Sequence, residues 1–302
     1  MKTELARTAL DLKWGRAQTL KNEAIYALVR LAVASCSLAS PRLLRTLGRS
    51  LGRLAHGICR HARKTALANI SRAMPDLSEV ERRRLVSRVF SRLGEHLGDT
   101  VAMLRPGAKL DVLPFEATER AVLDRARAEG HGVVFASAHL GPWERVAATL
   151  VEHGVPLTTI AREPYDPRLT AIYDALRAPR GVRAIYRGSP GAATRIVRVL
   201  RQGGVLGMPM DLKSRVPSID APFLGQSAAT PVGPARIALR MGAAVVVGTC
   251  APNDAVTMTR IPTADLSADA KSEHILTARI NEALSARILA MPDAWVWMHE
   301  RF

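Results

Sequence analysis

The chain has 302 residues, of which 48% are hydrophobic and 23% are charged, so it can bury a substantial core and lacks the composition of a disordered protein. Its formal net charge of +16 indicates an anionic partner: nucleic acid, acidic lipid or an acidic carrier protein. Three widely separated cysteines argue against a disulfide framework and against a structural zinc site.

The positive charge is concentrated near the N-terminus. Residues 1–110 carry 21 Lys and Arg against 8 Asp and Glu, whereas the remainder is nearly balanced. No secretory signal is recognisable at the start, which indicates a cytoplasmic protein. Residues 24–39 are apolar, but Arg30 interrupts them and Pro41 follows, so they fall short of the roughly 20 apolar residues that a bilayer crossing needs. They predict an interfacial or buried helix.

Residues 41–61 predict a helix with two different faces. On a helical projection the arginines share one side, namely Arg42, Arg45, Arg49, Arg53 and Arg60. The large apolar residues share the other, namely Leu43, Leu44, Leu47, Leu51, Leu54 and Ile58. No acid occurs between Pro41 and Pro75, a pattern that suits an anionic membrane surface. The alternative is a helix whose leucines face the core and whose arginines are simply solvated.

The next elements follow from local signals. Ser78 and Glu81 form an S-x-x-E capping box, which predicts a helix that starts there and ends near Gly98. Pro106 and Gly107 predict a loop. Residues 116–129 then predict another helix, which Gly130 ends.

After residue 130, apolar runs of strand length alternate with helical stretches. The predicted strands are residues 132–138, 156–161, 181–186, 205–210 and 243–250. This alternation predicts an α/β fold in which a mostly parallel central sheet is flanked by helices. A helical, basic, membrane-associating region over residues 1–110 would precede the α/β domain at 111–302, and the two read as one continuous unit without a linker.

The first predicted strand leads directly into a histidine. His139 therefore lies at the carboxyl end of a strand, where α/β sheets place their active sites, and Pro142 and Glu144 suit the first turn of a helix. An imidazole can remove a hydroxyl proton near pH 7, and a nearby carboxylate can hold the ring in the required tautomer. Free amides at the helix start could bind an oxyanion. The simpler alternative is a hydrogen-bonded loop histidine and a glutamate that interacts favourably with the helix dipole.

Other site chemistries fit the sequence poorly. The spacing is neither H-E-x-x-H nor a Cys/His cluster, so no metal is expected. No G-x-S-x-G elbow is present, which argues against a serine hydrolase.

The segment His139-Leu-Gly-Pro-Trp-Glu144 resembles the H-x-x-x-x-[DE] motif of glycerolipid acyltransferases, in the H-x-G-x-W-E form of the bacterial lipid A biosynthesis (late) acyltransferase family. Further stretches resemble this family in the same order: residues 63–70 with 74–77, 203–211, 223–235 and the closing 292–302. Together they span nearly the whole chain. The resemblance implies a glycerolipid acyltransferase-like fold, an acyl-carrier-protein or coenzyme A thioester as donor, and a membrane lipid as acceptor.

The resemblance also implies roles for individual residues. His139 would be the general base and Glu144 its partner, while Arg162, which follows the second strand, would bind substrate. Asp211 matches a family aspartate, but Leu212 follows it where the family usually has glutamine, which puts the acceptor in doubt. Asp211 could instead be a turn residue at a strand end.

Four further residues are weaker substrate-binding candidates. Arg187 could meet a phosphate or be an ordinary exposed arginine. Gly225, Thr230 and Gly233 could contact a ligand or simply shape the turn before a helix at residues 234–241. Trp295, Trp297 and His299 are expected to be packing and surface residues.

The favoured function is acyl transfer to a lipid A precursor at the cytoplasmic face of the bacterial inner membrane, with the protein peripheral or singly anchored by its N-terminal region. An acyltransferase of the same superfamily that acts on a lysophospholipid, ornithine lipid or glycolipid is the alternative. No cofactor is expected. Only 4% of residues are aromatic and no reading motif is present, which argues against a nucleic-acid partner. A catalytically inactive membrane protein is disfavoured by the intact motif.

Overall fold

The computed structural model describes residues 15–36, 39–104, 112–164 and 166–302. The loop predicted at Pro106 and Gly107 lies outside the described residues, as do residues 37 and 38 of the apolar segment predicted at 24–39. The first half of the described chain is helical, with α1 (Arg16–Cys36), α2 (Pro41–Ile58), α3 (Arg60–Ala73), α4 (Glu79–Ala102) and α5 (Ala117–Ala128). None of the described helices is long and apolar enough to cross a membrane.

Two predicted helix boundaries are wrong. Residues 41–61 do not form one helix, because the chain breaks at Cys59, where φ is −83° and ψ is 71°, and α3 starts at the next residue. Arg60 therefore does not belong to the same helix as the other arginines. The capping box at Ser78 is confirmed, with hydrogen bonds in both directions between Ser78 and Glu81. Its helix continues past Gly98 to Ala102, since that glycine faces a neighbouring helix and not a turn.

Helices α2 and α4 pack against each other through glycines. A Cβ atom on Gly48 would lie 2.1 Å from the carbonyl oxygen of Gly94, and one on Gly98 would lie 2.3 Å from that of Leu44. Glycine is thus required on both helices, because only a missing side chain lets the two backbones approach this closely.

The predicted α/β architecture is confirmed. The sheet contains β1 (Val133–Ser137), β2 (Leu157–Ala161), β3 (Arg183–Tyr186), β4 (Val205–Pro209), β7 (Ala244–Cys250) and β8 (Val256–Ile261). Their order is β3-β2-β4-β1-β7-β8, and every neighbouring pair is parallel except the antiparallel edge pair β7–β8. Buried apolar side chains fill the central strands, as expected of a parallel sheet covered on both faces.

The remaining elements cover this sheet and close the fold. They are α6 (Trp143–Glu152), α7 (Pro167–Arg177), α8 (Ala192–Arg201), α9 (Gly233–Met241), α10 (Ala270–Ala290) and a two-stranded hairpin of β5 (Ser218–Phe223) and β6 (Gln226–Pro231). The last residues of the chain return to the core, where Trp295 and Trp297 are fully buried. The structure thereby brings the end of the chain beneath the loop that follows β1.

The basic face predicted for α2 is not simply solvated. Arg45 bonds to Asp99 of α4 at 2.8 Å, and Arg49 bonds to Glu95 of the same helix. These arginines therefore tie α2 to α4. Conversely, most of the large apolar residues of α2 lie on the surface and only Leu44 among them is buried, so the alternative in which the leucines face the core does not hold.

Candidate active site

The carboxyl ends of β1 and β4 lie side by side at one edge of the sheet. These strands are parallel neighbours, with Ser137 opposite Pro209 at the end of the register. The chain leaves β1 toward β2 and β3, then returns to insert β4 between β2 and β1. Crevices outside such reversals are where open α/β sheets bind ligands. His139 and Asp211 each follow their strand by two residues and thus meet there.

Asp211 binds His139 at two points. Its Oδ1 lies 3.0 Å from Nδ1 of the His139 ring, and its Oδ2 accepts the His139 backbone amide at 2.9 Å. The indole Nε1 of Trp295 donates to the same Oδ2 at 2.8 Å. Since Asp211 is completely buried, these three bonds fix the carboxylate, and the carboxylate in turn fixes the imidazole.

The two groups shift each other's protonation. Burial is the largest influence on His139 and lowers its pKa, but the charge of Asp211, its hydrogen bond and the charge of Glu144 outweigh burial and raise the pKa above 6.5. Burial by itself would raise the pKa of Asp211. The charge and hydrogen bonds of His139, together with the bond from Trp295, more than offset that effect and lower it. Asp211 is accordingly a carboxylate at neutral pH.

The other ring nitrogen of His139 is available for chemistry. The His139 side chain is 31% exposed, and no described residue hydrogen-bonds to Nε2. The ring of Trp143 contacts the imidazole edge-on, with 5.3 Å between centroids. When Nδ1 carries the proton that Asp211 accepts, Nε2 presents a lone pair toward solvent.

Glu144 is not the direct partner of His139 that the sequence predicted. Its carboxylate accepts two bonds from Arg177 at the end of α7, at 2.5 Å from Nη2 and 3.1 Å from Nε. Both side chains are largely buried, at 10% and 16% exposure. Glu144 lies in the first turn of α6 as predicted, but Asp211 takes the position beside Nδ1 because its strand end adjoins that of β1.

The loop after His139 is tied to the end of the chain. Gly141 donates its amide to Ala294, and Leu140 forms a β-bridge with Trp295. Gly141 has φ +63°, and a Cβ atom there would lie 3.0 Å from that of Cys250. The loop therefore needs glycine for its conformation and for space. Pro142 precedes α6 as its N-cap, one position earlier than predicted.

Few amides at the start of α6 are free to bind an oxyanion. Those of Arg145 and Val146 donate to Pro142, and that of Trp143 donates to Gly141. The amide of Glu144 makes no hydrogen bond to a described residue, so it is the one candidate in the opening turn.

Arg162 and Arg187 meet at the same edge of the sheet. Each directly follows its strand, and the Arg187 amide donates to the carbonyl of Ala161. The Arg187 guanidinium bonds to Ser214, three residues beyond Asp211. Partial burial, and then the positive charge of Arg162, lower the pKa of Arg187. Neither arginine forms an ion pair with any described residue, so the pair is a concentration of uncompensated positive charge.

The three remaining predicted residues lie elsewhere or serve the fold. Thr230 is fully buried, and its hydroxyl donates to Ala228 and accepts from Asn281 and Arg301, an arrangement that serves the fold. Gly225 forms the hairpin turn between β5 and β6, with φ +75°. Gly233 begins α9. No described hydrogen bond joins either glycine to the His139 loop.

Sequence reasoning missed Arg177 altogether and treated Trp295 as packing only. Trp295 is indeed packed in the core, but it also orients Asp211. No local signal marks Arg177, which is 33 residues from Glu144 along the chain. The pairing of Asp211 with His139 could have been inferred from the carboxyl ends of the predicted strands only if the order of the strands in the sheet had been known. Within the described ranges, no three His, Cys, Asp or Glu side chains cluster as metal ligands would.

Comparison with known families gives one finding. The family described as bacterial lipid A biosynthesis acyltransferase matches residues 17–302, nearly the whole chain. A comparison with curated proteins finds no match.

Proposed function

Because the chain belongs to the bacterial lipid A biosynthesis acyltransferase family and is thereby an acyltransferase, we propose that it transfers a fatty acyl group from a thioester to a hydroxyl of a lipid A precursor. The donor is an acyl-carrier-protein or coenzyme A thioester, and His139 is the general base. The observation that supports this most directly is the His139–Asp211 pair, which holds Nδ1 and leaves Nε2 open.

The reaction follows from this arrangement. Nε2 of His139 removes the proton of the acceptor hydroxyl as its oxygen attacks the thioester carbonyl. The tetrahedral intermediate carries an oxyanion that the free amide of Glu144 would stabilise, and Asp211 stabilises the imidazolium. The intermediate then expels the thiolate, which takes the proton from Nε2. An ester and a free thiol result, and His139 is neutral again, without a metal or cofactor.

Glu144 has an indirect role in this proposal. Its negative charge is one of the influences that raise the pKa of His139, and its ion pair with Arg177 fixes the start of α6 to the end of α7. It is a positioning residue, because it acts through His139 and does not contact the reacting atoms.

Arg162 and Arg187 support an anionic acceptor. Two cations without an acidic partner, at the same sheet edge as His139 and Asp211, suit a phosphate group, which arginine binds through several parallel hydrogen bonds. The phosphorylated sugar head group of a lipid A precursor has this chemistry.

A lysophospholipid, ornithine lipid or glycolipid acceptor is the second candidate. Leu212 favours it. The family pattern has a polar glutamine at this position beside Asp211, whereas Leu212 packs against the hydrophobic core, so the polar group that the family has there is missing. Either acceptor places the enzyme at the cytoplasmic face of the bacterial inner membrane, peripheral or anchored by its N-terminal region. No nucleic acid is required by either.

Mass spectrometry of lipids tests the proposal. Total lipids from cells that express the wild-type protein should contain a species heavier by one acyl group than in cells without it, and the parent lipid identifies the acceptor. Cells that express the His139→Ala variant at the same protein level should have the same lipids as cells without the protein, because the variant removes the base. Of the three hydrogen bonds to Asp211 it removes only the one from the imidazole ring. An acylated product of equal abundance from His139→Ala would refute His139 as the base.

A further inference from the structure

Helix α2 exposes a row of large apolar side chains. Leu43, Leu47, Leu51, Leu54 and Ile58 are 48%, 49%, 59%, 60% and 69% exposed. They recur at three- and four-residue intervals and so lie along one side of the helix. Such a contiguous apolar row on a solvent-exposed surface marks an interaction site, whereas isolated exposed leucines do not.

The packing of α2 against α4 determines which way this row points. At about 100° per residue, the glycines that contact α4 lie about a third of a turn from the centre of the leucine row. The arginines that bond to Asp99 and Glu95 lie about a sixth of a turn beyond these glycines, on the other side. On α4, the glycines lie between the two acids on one side and Leu97 on the other, and Leu97 is 57% exposed. The helix pair thus has an ionic side and an apolar side. We name the apolar side, formed by Leu43, Leu47, Leu51, Leu54, Ile58 and Leu97, the leucine edge.

The charge beside the leucine edge is positive. Arg42 and Arg53 are exposed, form no ion pair with a described residue, and lie between the leucines and the paired arginines on the helix surface. No acid occurs between Pro41 and Pro75. Two copies of this surface would therefore repel each other, whereas a bilayer with anionic head groups would attract it.

We propose that the leucine edge inserts into the surface of an anionic bilayer, with α2 lying in the plane of the interface. The inserting residues are the leucines, while Arg42 and Arg53 contact lipid head groups and Arg45 and Arg49 hold α2 to α4. This inference rests on the proposed function in that the acceptor is a membrane lipid. Most of the binding free energy comes from buried apolar area, so salt weakens binding only in part.

Vesicle flotation tests the inference without any substrate. The purified full-length protein is floated with phosphatidylcholine vesicles that contain phosphatidylglycerol, at low and at high salt. The Leu51→Gln/Leu54→Gln variant should bind these vesicles about tenfold more weakly than wild type at both salt concentrations. The Arg42→Gln/Arg53→Gln variant should bind more weakly at low salt and like wild type at high salt.

Leu289→Gln is the matched control, since Leu289 is a 42% exposed leucine on α10, away from α2. It should float like wild type, and circular dichroism checks that all variants are folded. Equal flotation of Leu51→Gln/Leu54→Gln and wild type would overturn the inference. So would a wild-type dimer in light scattering that Leu51→Gln/Leu54→Gln converts to a monomer, because the leucine edge would then bind a second copy.

Acyl transfer measured on detergent-dispersed lipid separates this inference from the proposed function. Transfer that persists in Leu51→Gln/Leu54→Gln together with lost flotation supports both. Wild-type flotation without any transfer activity would refute the proposed function and leave the bilayer contact standing.

Discussion

Two regions of this protein pair basic side chains with carboxylates, in very different surroundings. Between α2 and α4, Arg45 and Arg49 are 43% and 47% exposed, although their partners Asp99 and Glu95 are only 11% and 9% exposed. At the sheet edge, the carboxylate of Asp211 is completely buried beside His139, and both members of the Glu144–Arg177 pair are largely buried.

Solvent decides what each set of pairs does. Water reaches the arginine of each outer pair and screens its charge, so these pairs contribute little free energy, and the close glycine contacts do more to hold the two helices together. At the sheet edge the same kind of contact acts at low dielectric, where it fixes side-chain geometry and shifts pKa values. Similar ion pairs thus serve attachment in one region and chemistry in the other.

The largest expected effect is that of Asp211→Asn. Acyl transfer should fall on the order of 10³-fold, because an amide no longer holds the Nδ1–H tautomer or stabilises the imidazolium. In wild type the raised pKa of His139 places the acidic limb of the kcat/KM profile above pH 6.5. Without the charge of Asp211 the imidazole loses its proton at lower pH, so the limb should move down. Asp220→Asn, an exposed carboxylate on β5, is the control. An unmoved limb in Asp211→Asn would contradict the assignment.

Glu144→Gln should lower the free energy of unfolding by about 3 kcal/mol, because it leaves Arg177 largely buried without its carboxylate. Urea denaturation measures the change. The double variant Glu144→Gln/Arg177→Gln should recover part of this loss, since no charge is then left unpaired. A double variant as unstable as the sum of the two single variants would show that the pair is not coupled.

Gly94→Ala probes the outer region. A methyl group there would lie 2.1 Å from the Gly48 carbonyl oxygen, so the helices must separate, at a cost of about 2 kcal/mol in the free energy of unfolding. Gly57→Ala is the matched control on α2, because nothing lies within 4 Å of its added Cβ, and it should be neutral or slightly stabilising. Equal stability of the two variants would remove close glycine packing as the basis of this contact.

The smallest expected effect is that of Arg49→Gln, about 0.5 kcal/mol, because Arg49 is nearly half exposed and Glu95 keeps Arg92 at 3.5 Å. Thermal unfolding at low and high salt measures it, and the difference from wild type should shrink with salt. A loss comparable to that of Glu144→Gln would erase the contrast between the two regions.

The sequence predicted what depends on neighbouring residues. The capping box at Ser78, the apolar strands, the histidine at the end of β1 and the glutamate in the next helical turn all involve groups within a few positions of one another. Their hydrogen bonds and periodicities are therefore readable along the chain. The family motif around His139 was recognisable for the same reason.

Only the tertiary structure decided which of these groups meet. The insertion of β4 between β2 and β1 places Asp211, and not the nearer Glu144, against His139. The β-bridge between Leu140 and Trp295 holds the indole beside the same carboxylate. Glu144 is left to Arg177. On α2, the helical spacing of arginines and leucines indicated two faces, but the glycine contacts with α4 determined that the leucines would lie outside. Strand order and helix packing depend on contacts between residues far apart in sequence, and local patterns carry no record of them.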